Sequence, residues 1–219
     1  MVAVISLVRF TPSPGEITHN ATEILRRSAD AAQLGAAVVV FPLWALSGLG
    51  HQAAVWSAPA QAAQTERAAA DALVVLAHDA DRSGLGGRYL LVGTLGWAAD
   101  GAPQAATALL HKGKVGLAYA AGRPDVVAEP WAGEHRVSGE LAHRGQDYSG
   151  AVFEAHGNLF GIWLDTVLVP PSWPSGINAT LDAVLVQTVG GAFVADRAGR
   201  RLSHPQPAHP GLTLWHTAE

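Results

Sequence analysis

The stretch from Phe41 to Gly48, which reads FPLWALSG, decides how the fold is interpreted. It begins at the end of an apolar run, Ala36 to Phe41, which predicts a strand buried on both faces. Pro42 ends that strand because proline has no backbone N–H to donate. Residues that follow such a strand lie at the carboxyl edge of the sheet, where ligands of α/β proteins gather. We therefore expect a functional site at this stretch.

Helical patterns alternate with the strands. Asn20 and Glu23 have capping-box spacing, so the sequence predicts a first helix from Asn20 to Leu34, followed by Gly35. A second predicted helix covers Ala60 to Asp79, with Leu73, Val74 and Ala77 on its inner face.

The remaining apolar runs, separated by turn residues, predict strands. They lie at Val2 to Val8, Tyr89 to Leu95, Thr107 to Leu110, Val115 to Tyr119, Ala151 to Glu154, Leu159 to Asp165, Asp182 to Thr188, Gly191 to Asp196 and Leu212 to His216. Alternating strands and helices over 219 residues predict one α/β domain, residues 1–219.

Composition excludes several classes of function. With 14 basic and 18 acidic residues the formal charge is −4, and no basic cluster exceeds a pair, which disfavours nucleic acid as a partner. The chain has no cysteine, so disulfides, thiolate metal sites and thiol catalysis are excluded. No basic leader or long apolar run points to a membrane, and we expect a soluble cytoplasmic protein.

A second stretch, Gly161 to Asp165, reads GIWLD and also lies at the end of a predicted strand. FPLWALSG resembles the FPE-(apolar)-ALTG motif of the nitrilase, or carbon–nitrogen hydrolase, superfamily, and GIWLD resembles that superfamily's GIC-x-D nucleophile motif. The resemblance runs in order along nearly the whole chain, to a hairpin at Ala192 to Leu202. It implies a nitrilase-like α-β-β-α sandwich.

The resemblance also identifies positions at which reactive side chains are missing. Nitrilase-like enzymes use a glutamate as general base, a lysine to stabilise the intermediate and a cysteine as nucleophile. The corresponding positions here are Leu43, Ala121 and Trp163, none of which offers a carboxylate, an ammonium or a thiol. Glu129, eight positions after Ala121, resembles the family's supporting glutamate and is a candidate ligand-binding residue. We predict no catalytic residue at the three positions.

The change in side-chain volume suggests what happened to the pocket. Because protein interiors are close-packed, we expect the indole of Trp163 to fill the former pocket against Leu43 and Ala121. Trp163→Ala would then cost about 3–5 kcal/mol.

The chain is also shorter than the family. A block of roughly 40 residues is missing between Val189 and Gly190, by comparison with ordinary domain anatomy. Its loss would uncover apolar surface and a strand edge, which we expect a second subunit to cover. Trp131 and Trp173, in loop contexts, are candidate interface anchors.

No metal or cofactor is expected. The ten histidines show neither H-x-x-x-H nor H-E-x-x-H spacing, and His204 and His209 lie in a predicted proline-rich loop.

The leading hypothesis is a catalytically inactive pseudoenzyme, a structural or regulatory subunit that pairs with itself or with an active relative. One alternative is a protein that binds a small amide, nitrile or carboxylate near Glu129, Leu43 and Ala121. The other is a carbon–nitrogen hydrolase with relocated catalytic residues.

Overall fold

The computed structural model describes residues 3–48, 59–97, 103–120, 150–164, 181–189, 191–196, 200–202 and 206–217. These ranges contain two α-helices, a short π-helical segment directly after the second of them (Asp81–Leu85), and eleven strands. In chain order they are β1 (Val4–Val8), α1 (Ile17–Gln33), β2 (Val38–Val40), α2 (Pro59–Ala80), β3 (Tyr89–Trp97), β4 (Pro103–His111), β5 (Lys114–Ala120), β6 (Gly150–Ala155), β7 (Asn158–Leu164), β8 (Ala183–Thr188), β9 (Gly191–Ala195), β10 (Gln206–His209) and β11 (Leu212–His216).

The strands form two sheets. A seven-stranded sheet has the order β10-β11-β1-β2-β3-β4-β5, and a four-stranded sheet has the order β6-β7-β8-β9. The pairs β1–β2, β2–β3 and β7–β8 are parallel, and the other pairs are antiparallel. Both sheets therefore have a carboxyl edge at which parallel strands end together.

The central strand β2 shows how the layers are built. Val38 and Val40 belong to the apolar cluster between the two sheets, whereas Val39 belongs to the cluster under the helices. Side chains alternate along a strand, so β2 is buried on both faces, as its continuous apolar sequence predicts.

Each layer has its own apolar contacts. Ile24 of α1 and Leu73 of α2 pack on the outer face of the large sheet. Phe160 and Leu185 of the small sheet face the large one. Val184 and Val186, on the opposite face of the small sheet, are also buried. The result is a mixed α/β sandwich.

The structure confirms most predicted elements and corrects three details. The capping box is wrong: α1 begins at Ile17, no side chain caps it, and Asn20 lies buried within the first turns. Val74 is 49% exposed, whereas Leu73 and Ala77 are buried. Residues 206–209, expected in a loop, form β10 at the edge of the large sheet, where Pro207 is tolerated.

In the described part of the chain, neither helix combines the length and the hydropathy needed to cross a bilayer.

Candidate functional site

The segment after β2 continues along the sheet and then turns. The N–H of Phe41 donates to the carbonyl of Leu91 at 2.9 Å, and the N–H of Leu46 donates to the carbonyl of Gly93 at 3.0 Å. Between them Trp44 has a φ of 61°, an uncommon conformation for a residue with a side chain. The backbone of this segment is thus fixed at both ends by β3.

Gly93 of β3 is required for this close approach. A Cβ at this position would lie 2.1 Å from the carbonyl oxygen of Pro42 and 2.7 Å from the Cα of Leu43. No side chain fits such distances, so glycine allows the segment to lie directly on β3.

Asn20 holds the segment from the other side. Its amide nitrogen donates to the carbonyls of Ser13 and Leu46 at 2.8 and 3.0 Å, and its amide oxygen accepts from the N–H of Ser13 at 2.8 Å. The side chain therefore joins the loop after β1 to the loop after β2, a role that the sequence pattern did not reveal.

Leu43 lies at the centre of this arrangement. It is 1% exposed and packs in the cluster between the sheets, and its N–H donates to the carbonyl of Thr188 at 2.9 Å. Leu43 itself has no titratable group and cannot act as a general base.

Gln187 makes a second link between the sheets. It is fully buried, and its amide nitrogen donates to the carbonyl of Phe41 at 2.7 Å. Gln187 follows four apolar residues of β8, which indicates that its side chain has a buried partner, but the sequence did not show which one.

The backbone of β7 brings the second motif to the same edge. Ile162 and Leu164 belong to the cluster that contains Leu43, and Trp163 lies between them at the register position of Val186, which belongs to the cluster on the opposite face of the small sheet. The side chain of Trp163 is outside the described part, so its contact with Leu43 stays a prediction.

The other candidate residues are not located. The backbone of β5 ends at Ala120, immediately before Ala121. Ala121, Glu129, Trp131 and Trp173 lie outside the described residues. Their predicted roles stay predictions.

Charged groups with a perturbed pKa lie elsewhere. Arg26 donates hydrogen bonds to Glu23 on the exposed face of α1, which lowers the pKa of that carboxyl. Within the ranges that the structure describes, no three histidine, aspartate or glutamate side chains cluster as metal ligands would.

The architecture defines a nitrilase-like α/β sandwich. No protein-family model and no curated protein matches the chain. Solved structures do match. A double mutant of the amidase from Nesterenkonia sp. AN1 in complex with acrylamide aligns with a TM-score of 0.57 and 17% identity, covering 99% of this chain and 91% of the amidase. Another structure of an amidase from Nesterenkonia sp. aligns with a TM-score of 0.57 and 16% identity, covering 97% of this chain and 89% of the amidase.

The glutamine-dependent NAD+ synthetase from Acinetobacter baumannii also aligns, with a TM-score of 0.52 and 17% identity. The match covers 99% of this chain but only 45% of the synthetase. The Nesterenkonia amidase is described as a member of the nitrilase superfamily, and acrylamide adds to its active-site cysteine. At these identities the likeness establishes the fold of this chain.

Proposed function

We propose that this chain is a non-catalytic relative of the nitrilase superfamily that serves as a structural or regulatory subunit of a homo- or hetero-oligomer. One observation carries the proposal: the chain has no cysteine, whereas the amidase with the same fold reacts at an active-site cysteine. Without a thiolate, acyl transfer by that chemistry cannot start.

The surroundings of Leu43 support the loss of activity. Where the family resemblance expects a general base, a leucine is buried among apolar side chains with its N–H bonded to Thr188. A carboxylate buried among such apolar side chains would need a partner for its charge.

The end of β8 supports assembly. Val189, directly after β8, is 38% exposed, and β9 is an edge strand of the small sheet. The resemblance places the missing block at this point. Residues 200–202 cover part of this edge, since the N–H of Leu202 donates to the carbonyl of Val194 and Arg201 bridges Ala195. The support for contact with a second subunit is therefore the exposed apolar side chain of Val189.

Two experiments test the proposal. The first measures ammonia release from acrylamide and butyramide, with an active nitrilase-fold amidase as positive control. We expect no release above a heat-denatured sample. Release that a single substitution abolishes would contradict the proposal and would favour a hydrolase with relocated catalytic residues.

The second experiment measures the molar mass of the protein by light scattering at micromolar concentration. We expect an oligomer that Val189→Asp dissociates and Val75→Asp does not, since Val75 is 57% exposed on α2, away from β9. A monomer, alone and in the presence of an active relative, would contradict the subunit role.

A further inference from the structure

A cleft of about 440 Å³ opens where β1 and β8 end. Its polar lining includes Arg9, Arg201, Thr188 and Thr213, and its apolar lining includes Leu7 and Phe193. The volume lies in the range of small-molecule sites, roughly 300–1,000 Å³. The cleft combines an apolar wall with a few polar groups, as such sites do.

Arg9 is fixed at its backbone and has room for its side chain. Its N–H donates to the carbonyl of Gly211 at 2.7 Å. Gly191 faces the side chain: a Cβ there would lie 3.9 Å from the Cγ of Arg9. The aliphatic part of Arg9 thus passes over a glycine, and Arg9 is one of the residues that line the cleft.

Arg201 is held by an aromatic ring. Its guanidinium carbon lies 5.3 Å from the ring centroid of Phe193, a cation–π distance. Its backbone forms a bridge with Ala195 of β9. Stacking orients a guanidinium without neutralising it, so the charge remains available to a ligand.

The turn between β8 and β9 shapes the floor of the cleft. The hydroxyl of Thr188 donates to the carbonyl of Gly191 at 3.1 Å, which fixes the turn. Thr213, across from Leu7 on β11, adds a hydroxyl to the lining.

The cleft has an excess of positive charge. Four other arginines of the described residues form ion pairs with nearby carboxylates, whereas Arg67 and Arg88 do not: Arg26 pairs with Glu23 and Asp30, Arg27 with Glu23, Arg82 with Asp79, and Arg200 with Asp196. Neither Arg9 nor Arg201 pairs with a carboxylate of the described part, and the described residues that line the cleft include no acidic one. Two guanidiniums in one cleft favour an anion.

We propose that this cleft binds a small organic anion, a carboxylate or a phosphate monoester. Arg9 and Arg201 bind the charged group through their planar N–H forks, and the apolar body packs on Phe193 and Leu7. This binding site is separate from the position of Leu43 and goes beyond the subunit role proposed above.

The test uses three aromatic probes that differ in the charged group: benzoate, phenyl phosphate and neutral benzamide. Calorimetry at constant ionic strength gives the affinities, and amide chemical shifts of Gly191, Phe193 and Thr213 give the location. We expect one or both anions to bind with shifts at these residues, and the stronger anion identifies the ligand class. Benzamide should bind at least about tenfold more weakly.

Variants separate the cleft from general charge effects. Arg9→Gln and Arg201→Gln should each weaken binding by about tenfold or more, and Thr213→Val by about threefold. Arg9→Lys keeps the charge but lacks the planar set of N–H donors of the guanidinium. Its affinity for the anion should lie between the affinities of wild type and Arg9→Gln. Arg67→Gln removes an equal charge from the exposed face of α2 and should leave the affinity for the anion unchanged.

Three outcomes would overturn the proposal: neither anion binds the wild type, benzamide binds as well as the stronger anion, or Arg67→Gln weakens binding as much as the cleft variants. Circular dichroism of each variant confirms that it is folded, and all substituted arginines are exposed.

Discussion

The side-chain amide of Gln187 donates a hydrogen bond of 2.7 Å to the carbonyl of Phe41, and so ties the small sheet to the segment that follows β2. Both ends of this bond lie in the interior, where a carbonyl without a donor is costly.

The first prediction concerns that bond. Gln187→Leu keeps the volume but leaves the Phe41 carbonyl without this donor, so we expect a loss of about 1–2 kcal/mol in unfolding free energy. Urea unfolding measures it. Gln64→Leu on the exposed face of α2 is the matched control and should be nearly neutral. A Gln187→Leu protein as stable as the wild type would show that the bond adds no stability.

The second prediction concerns the approach of the site segment to β3. Gly93→Ala places a methyl group 2.1 Å from the carbonyl oxygen of Pro42, so the backbone must move, and we expect a loss of about 2–3 kcal/mol. Gly87→Ala is the control, because nothing lies within 4 Å of its Cβ position. If both alanine variants unfold at the same urea concentration, the contact is not tight in solution.

The third prediction distinguishes an anchor from a helix cap. Serine caps helices about as well as asparagine but cannot reach both Ser13 and Leu46, so Asn20→Ser should cost about 2–3 kcal/mol if Asn20 is an anchor. Amide hydrogen exchange at Ser13 should become faster, since its acceptor is lost. His19→Ser, at the exposed neighbouring position, should have little effect. A loss below about 0.5 kcal/mol would show that the hydrogen bonds of Asn20 add little to stability.

The sequence was sufficient to predict features that depend on residues close together along the chain. The apolar run before Pro42 placed β2 in the interior and Leu43 at its end, and the structure confirms both positions. Contacts between distant residues left no such pattern. Asn20 and Leu46 are 26 positions apart, and Gln187 and Phe41 are 146 apart. β10 was missed for a different reason: it is an edge strand that contains Pro207, and proline weakens the strand pattern.

The last prediction tests whether the position of Leu43 still accommodates a base. Leu43→Glu places a carboxyl in the cluster between the sheets, where burial should raise its pKa. Leu43→Gln adds the same bulk and polarity without the charge, so the difference between the two variants isolates ionisation.

The sign of the effect follows from proton binding. When the folded-state pKa is raised, the folded protein binds more protons than the unfolded chain between the two pKa values, so stability falls as pH rises above the unfolded pKa of about 4.3. Relative to wild type at each pH, Leu43→Gln should lose similar free energy at about pH 4 and about pH 7. Leu43→Glu should lose about 3 kcal/mol more unfolding free energy at about pH 7 than at about pH 4. Equal losses for both variants at both pH values would mean that cationic or hydrogen-bonding groups surround this position, and would reopen the alternative of relocated chemistry.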